Sequence, residues 1–505
     1  MTDCPRGWAH TTLREICAIN PRIDKSAIDP RHVVSFVPMP AVEAGNGKID
    51  VSETRSFETV RKGYTPFRKG DVLFAKITPC MENGKMAVVP DLASEYGFGS
   101  TEFHVLRPAD GIDPRFIYHA VSNQAFRFHA EHNMTGAVGQ KRVPAAIIEQ
   151  HEIVLPPSNE QRRIVERVEA LFDEIERGVE SLRTARRMIG LYRQSLLKSA
   201  FEGRLTADWR AENADKLESP ELLLARISQQ REACYDAVIQ DWQRALAKWR
   251  GAGGTAKRPT KPKPPRAMPA EQPQHDVPGW VTVPLGLVVD DPIYGTPKKC
   301  GYGTGAMGVL RIPNIGSGCI DPTDLKSADF DESEVARFSL SEGDVLTVRS
   351  NGSLSIVGKP ALVRREHADY LFAGYLIRLR PVAQSLLPKY LVYTLMEPQV
   401  RAQIETKAKS TSGVNNVSAK ELQELGIRIC SIAEQSEIVR ILDGRLEVAD
   451  TLQAEVDANL ARSEALRQSI LRTALAGQLV PQDPADQPAS ALLARVRAEH
   501  ISARK

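Results

Sequence analysis

No stretch of this 505-residue sequence approaches 18 consecutive apolar residues, so no helical membrane span is expected. No CxxC pair occurs, and the seven cysteines are scattered from Cys4 to Cys430. The N-terminus lacks a charged start followed by an apolar stretch. Together these features predict a cytoplasmic, reducing setting with neither a secretory signal nor a disulfide framework. There is no GxxxxGK[ST] loop, so the chain is not expected to hydrolyse ATP.

Other chemistry is missing as well. Gly303-x-Gly305-x-x-Gly308 has the letters of a dinucleotide fingerprint but precedes a β-like run, Val309–Ile312, instead of linking strand to helix. Asp291-Pro292-Ile293-Tyr294 lacks the second proline of the tetrad used by amino-methyltransferases. His129, Glu131 and His132 have no further ligand at a useful spacing, so no metal is expected. No catalytic residue is assigned, and the chain is expected not to be an enzyme on its own.

What is present is an internal repeat at a spacing near 273 residues. Gly70-Asp71-Val72-Leu73 returns as Gly343-Asp344-Val345-Leu346, and Leu106-Arg107-Pro108 as Leu379-Arg380-Pro381. Glu160-Gln161 returns as Glu434-Gln435, and Gly7-Trp8 as Gly279-Trp280. Segment 193–205 matches 467–479 at seven of thirteen positions. A period this long is a duplicated module, since solenoids repeat every 20–50 residues or so. At 42% apolar and 26% charged, each copy can build its own core.

Within each copy the pattern changes once. Residues 1–156 and 280–431 carry short β-rich runs broken by Gly, Pro, Asn and Asp, with short helices expected near 114–130 and 388–405. Segments 157–205 and 432–480 then read as long helices of about 65 Å. Their predicted seams are Ile164, Val168, Leu171, Ile175, Leu182, Ile189, Tyr192 and Leu196, with Gly178 and Ala185 filling the gaps, and Ile438, Leu442, Ala449, Leu452, Val456, Leu466 and Ile470. Arg445, Asn459 and Ser463 interrupt the second seam. Ser158 or Asn159 is expected to cap the first helix, and Gly203 and Gly477 to end the pair. Two such helices most simply bury their seams against each other; two core helices in ordinary domains are the alternative.

Residues 206–279 hold a helical stretch, 219–250, and then a linker, 251–278, with seven prolines and five basic residues. The tail, 481–505, echoes that helix: Leu492-Leu493-Ala494-Arg495-Val496 mirrors Leu223-Leu224-Ala225-Arg226-Ile227.

Both modules place polar and basic residues in turns beside β runs. In the first, Lys76, Thr78, Asn83 and Lys85 form one cluster and Thr135, Gln140, Lys141 and Arg142 another. In the second, the corresponding places hold Arg349, Ser350, Asn351 and Ser353, then Ser412, Asn415 and Asn416. Arg, Lys, Asn and Gln read base edges, while Ser, Thr and backbone N–H groups hold phosphates. The clusters match in position but not in identity, which predicts two different readers on double-stranded DNA held a helical turn or more apart (about 34 Å).

Taken together, these residues resemble the specificity subunits of type I restriction–modification systems. The resemblance rests on Gly70 to Cys80 with Glu82-Asn83-Gly84-Lys85, on Pro156-Pro157 before Glu160-Gln161, on Arg349-x-x-Gly352, and on the paired helix ends. It covers nearly the whole chain. It implies an α+β chain with two strand-rich target-recognition domains in tandem, each followed by a long helix, the helices forming an antiparallel coiled coil with pseudo-twofold symmetry. It also implies that each domain reads one half of a bipartite site, and that the helices dock two modification subunits. Those subunits carry S-adenosylmethionine and methylate adenine at N6. Restriction subunits using ATP and magnesium complete the nuclease, and no cofactor falls to this chain. The sequence departs from the pattern at Cys430-Ser431, where a Pro-Pro is expected, and in its elaborate linker. A modification-only system, or a coiled-coil scaffold that binds no DNA, remains an alternative.

Charge is distributed unevenly behind the net +3. Residues 1–157 carry 18 basic and 18 acidic residues, and 280–431 carry 17 and 16. From Trp242 to Ala270 there are eight basic residues and no acidic one. Nearly neutral readers are therefore expected to grip DNA weakly by themselves.

Overall fold

The computed structural model describes residues 4–137, 139–253, 258–262, 264, 277–411 and 413–502. The chain divides into two compact units: Met1–Thr184 with Val456–Lys505, and Ala185–Glu455. Each holds one strand-rich module and half of each long helix.

The first module opens and closes on one antiparallel pair, Ala9–Thr12 with Glu152–Leu155. Its central antiparallel sheet runs in the order Cys17–Ile19, Phe103–Pro108, Val72–Ala75, Met86–Val88. Val72 to Ala75 are all buried, as befits an apolar run covered on both faces. A second sheet has Val33–Val37 parallel to Tyr96–Gly99, flanked by Thr54–Ser56 and Thr65–Arg68. Helices Pro114–Ser122 and Gln124–His132 follow the central sheet.

The second module repeats this plan. Val281–Pro284 pairs with Gly426–Ile429, and the central order is Ile293–Tyr294, Leu376–Leu379, Val345–Val348, Pro360–Leu362. Met307–Leu310 is parallel to Leu371–Phe372, matching the parallel pair of the first module. Helices Pro388–Met396 and Pro398–Lys407 occupy the predicted place. Of the dinucleotide-like glycines, Gly305 has a packing reason: a Cβ on it would lie 2.1 Å from the Ala328 backbone.

The repeated motifs turn out to be partners. Asp71 accepts both prongs of the Arg107 guanidinium at 2.8 and 2.7 Å, and Asp344 those of Arg380 at 2.6 and 2.7 Å. Both carboxylates are about 1% exposed, so each fork is a charge-assisted pair on a buried acid. Gly70 and Gly343 precede them at φ +82° and +91°, a backbone that favours glycine. Gln161 donates to the Pro156 carbonyl and accepts from the Asp113 N–H, both at 2.9 Å; Gln435 does the same with Cys430 and Leu387. These glutamines fasten each long helix to its module.

The long helices span Ser158–Phe201 and Ile432–Leu475. Within the first unit the start of one helix (Ile164, Val165, Val168) shares a core with the end of the other (Ile470, Leu471, Ala474). Within the second unit Leu196, Leu197, Ala200 and Phe201 pack with Ile438 and Leu442. The pairing is antiparallel in each. Gly203 and Gly477 end the helices at φ +73° and +71°. Ser158 donates its hydroxyl to the Gly111 carbonyl, and Asn159 reaches Asp486, in place of the expected cap.

The seam needs correction. Ile164, Val168, Leu196, Ile438, Leu442 and Ile470 are buried, and Leu171, Ile175, Leu182, Ile189 and Val456 are half-buried. Leu452 and Leu466, however, are 47% and 49% exposed, Tyr192 is exposed, and so is Gly178. Val179, Arg193, Gln453 and Arg467 face inward instead, and Leu446 and Leu460 cover the gaps read at Arg445 and Asn459. A strict heptad assumes 3.5 residues per turn, whereas an α-helix has 3.6 and drifts about 20° per heptad. Over 44 residues the buried line therefore moves one position along the chain. The inward polar residues are paired: Arg193 meets Asp450 at 2.7 Å, and Arg467 pairs with Glu176.

Two further helices root on the modules. Pro220–Gly251 buries Leu223 and Ile227 in the second core, and the tail helix Ala489–Ser502 buries Leu492, Leu493 and Val496 in the first. The echoed sequence therefore does the same work in each unit.

Candidate nucleic-acid interface

The strand Val72–Ala75 delivers Lys76 to the end of the central sheet. There the Lys76 N–H donates to the Glu102 carbonyl at 2.9 Å, and its carbonyl accepts from Val143 at 2.8 Å. Bridges Ile77–Arg142 and Thr135–Arg142, with Thr78 N–H donating to the Lys141 carbonyl at 3.0 Å, lay the two clusters side by side. Residues some sixty positions apart in sequence thus form one surface.

Their side chains divide by role. Arg142 is held by a fork on Glu102 at 2.9 and 2.8 Å, which keeps the Glu102 carboxyl below its usual range, and Thr78 donates to Glu82 at 2.8 Å. Lys85 turns away to the Met39 carbonyl at 3.2 Å. Asn83, Thr135, Gln140 and Lys141 are exposed. Thr78, Lys141, Glu131, His132 and Met134 line a shallow cleft of about 460 Å³. His132 Nδ1 meets the Phe128 carbonyl at 2.9 Å, and among the described residues no three His, Cys, Asp or Glu side chains gather as a metal site.

The second module joins its clusters with a small sheet of its own. Ser350 and Asn351 pair with Asn416 and Asn415, and Lys409–Thr411 completes three strands. Arg349 lies over the Tyr294 ring at 4.7 Å and donates Nε to Asn416 Oδ1 at 3.2 Å. Asn415 donates to the Gly352 carbonyl at 3.0 Å, Asn351 accepts from the Ser353 N–H at 2.8 Å, and the Ser353 hydroxyl meets that of Ser355 at 2.9 Å. The asparagines therefore brace the loop while Arg349 is presented on an aromatic plate. Ser412 lies outside the described residues.

Beside Arg349 opens a cleft of about 620 Å³ that sequence reasoning misses. Lys298, Lys299, Arg311, Lys326 and Tyr375 line it. Lys298 is paired with Glu334 at 3.0 Å and Arg311 with Asp324 at 2.9 Å. Lys326 stands over Tyr302 at 5.1 Å, and Tyr302 and Tyr375 are 66% and 63% exposed. Cations interleaved with exposed rings offer both phosphate attraction and stacking. The local signal is Lys298-Lys299 beside Gly301-Tyr302-Gly303, a stretch whose letters by themselves suggest only a turn.

Each strand-rich module thus presents a polar, basic end, with different residues in the two copies. Residues 5–181 match the family model described as the type I restriction modification DNA specificity domain. The chain is 26% identical over 485 residues to the Escherichia coli type I restriction enzyme EcoEI specificity subunit, covering 90% of this chain and 80% of that one. It is 27% identical over 472 residues to the E. coli EcoAI specificity subunit, covering 89% and 79%. Its fold matches a chain from a solved structure of the type I R-M system, with TM-score 0.65 and 22% identity over 94% of this chain and 99% of that one. Over most of its length the chain is thus similar to specificity subunits of type I restriction enzymes, and its first module matches their DNA specificity domain.

Proposed function

We propose that this chain chooses the DNA site for a type I complex, each module reading one half of a bipartite, asymmetric sequence. The observation that carries this reading is the meeting of the two polar clusters at the same end of each module, with different residues in each. Candidate base contacts are Asn83, Gln140 and Lys141 in the first module and Arg349 in the second. Lys76, Thr78 and Thr135, and Ser350 and Ser353, suit phosphate contacts. Arg142, Asn351, Asn415 and Asn416 hold the loops in shape.

In this reading the helix pair docks two modification subunits that use S-adenosylmethionine to methylate adenine at N6. Restriction subunits driven by ATP cut the DNA, and this chain supplies neither chemistry. Segments 1–156 and 280–431 serve as the two readers, with 157–205 and 432–480 as spacers.

The test is to exchange residues 1–156 for the equivalent segment of a relative and sequence the methylated sites in cells. One half of the methylated sequence is expected to change while the other half and the spacing stay. A change in both halves, or in neither, would overturn the division of labour.

A further inference from the structure

The helix Pro220–Gly251 is longer than its docking on the second core requires. Its root is fixed by Leu223 and Ile227, by Arg226 paired with Glu218 at 2.7 Å, and by Gln230 against Gln384 at 3.2 Å. Beyond Cys234, which is exposed, the helix meets another part of the chain. Tyr235 donates its hydroxyl to the Pro262 carbonyl at 3.4 Å, and Trp242 donates its indole N–H to the Pro259 carbonyl at 3.1 Å. Lys261 stands over the Trp242 ring at 6.0 Å, and Leu246 is only 8% exposed.

The spacing explains the match. Seven helical residues from Tyr235 to Trp242 advance about 10.5 Å on one face, at 1.5 Å each. Three residues of extended proline-rich chain advance about 9.3 Å, at 3.1 Å each. Proline-rich backbone has few N–H groups of its own, so its carbonyls are ready acceptors for the two ring donors. The described part of the expected flexible linker is therefore a strap laid antiparallel along the helix.

This arm carries cations and no acid over its distal part. Lys248, Arg250, Arg258 and Lys261 are all exposed, and they lie within the acid-free run from Trp242 to Ala270. The two readers, by contrast, are close to electrically neutral. Affinity for duplex DNA that ignores sequence comes from phosphate neutralisation, so it has to be supplied elsewhere than by the readers.

We propose that the helix-and-strap arm, residues 235–251 with 258–262 and 264, is a sequence-independent contact surface for the phosphate backbone of duplex DNA. The proposal rests on the reading that this chain acts on DNA, and it adds a site distinct from the two readers. An anchored strap holds its cations in place before DNA arrives, so less ordering entropy is lost on binding than with a free tail.

The test combines Lys248→Gln, Arg250→Gln, Arg258→Gln and Lys261→Gln in the full chain. Affinity is measured for a random duplex and for the methylated target across a salt series. Each neutralised phosphate contributes about 0.9 to the slope of log K against log salt, so loss of four contacts should make the slope shallower by about 3.6. Both duplexes should lose affinity by the same factor, on the order of tenfold or more at low salt. Lys248→Arg with Lys261→Arg should keep the wild-type slope. An unchanged slope in the quadruple variant overturns the proposal, as does a loss confined to the target duplex. Loss of a co-purifying protein with the slope intact would assign the arm to an acidic protein surface and would also overturn it. Failure of the wild-type chain to bind any duplex would instead bring down the DNA reading itself.

Discussion

Glu160 and Glu434 hold the same place in the two copies, the third residue of a 44-residue helix, and are buried to 1% and 0% exposure. Their surroundings differ. Glu434 accepts from the Trp280 indole at 3.0 Å and the Thr206 hydroxyl at 2.7 Å, and it pairs with Arg210. Glu160 sits near Trp8, but the Trp8 N–H and Glu160 Oε1 are both buried without a hydrogen bond. Burial raises the Glu160 carboxyl above its usual range, an effect only partly opposed by Trp8 and Arg163. The cause is in the chain after each helix. Thr206 and Arg210 come after the first; the corresponding positions after the second are Val480 and Pro484, which offer neither a hydroxyl nor a cation. A duplicated carboxylate is thus satisfied in one copy and left lacking in the other, because the duplication preserved the helices more closely than the segments at their C-terminal ends.

The sharpest way to break this comparison is to neutralise each glutamate. Glu434→Gln leaves Arg210 buried without its counter-charge and should cost about 3–5 kcal/mol in the second unit. Glu160→Gln removes a charge that burial already disfavours and should change the first unit by less than about 1 kcal/mol, in the stabilising direction at neutral pH. Hydrogen exchange resolved by peptide would separate the two. Equal losses in both units would show that the pairing of Glu434 contributes nothing special.

Acid should separate the units next. Burial pushes His119 and His151, both in the first unit, down to about 4, and it also lowers His104 there. These rings are neutral when folded, while the unfolded chain takes up protons below about pH 6.5. Stability is therefore full above that pH and is lost as pH falls toward about 4. At pH 5 the loss should be on the order of 2 kcal/mol each for His119 and His151. The second unit has His367, lowered by burial, to set against them. Urea unfolding at pH 7 and pH 5, followed by hydrogen exchange, should find the first unit weakened more; a uniform loss would refute it.

The smallest contrast lies at the tryptophans. Trp280→Phe removes a donor to a buried carboxylate and should cost about 1.5–3 kcal/mol. Trp8→Phe removes an N–H that lies near Glu160 without a well-formed hydrogen bond, so its cost should be below that of Trp280→Phe. Thermal melts of the two variants would read the difference. Equal shifts would mean that the Trp280 hydrogen bond is not what distinguishes the copies.

Much of the architecture is legible in local pattern. The repeat, the strand-rich modules, the two long helices and the glycines that end them arise from residues near one another in the chain. Helix phase is less legible: counting 3.5 residues per turn places Leu452 and Leu466 inside, where the helix exposes them. The partners of the repeated motifs are out of reach too. Asp71 and Arg107 stand 36 positions apart, as do Asp344 and Arg380, and strand register decides that they meet. The cleft beside Arg349 escapes local pattern because Lys298, Lys326 and Tyr375 come from separate stretches.

By itself the sequence determined that this is a doubled chain of modules and helices with an acid-free basic segment, since periodicity, repetition and charge are properties of neighbours. Only the tertiary structure decided which polar loops face one another, which glutamate finds an arginine, and where the described residues 258–262 of the proline-rich segment lie. Those outcomes depend on contacts between distant residues, and such contacts are set by strand pairing and helix packing.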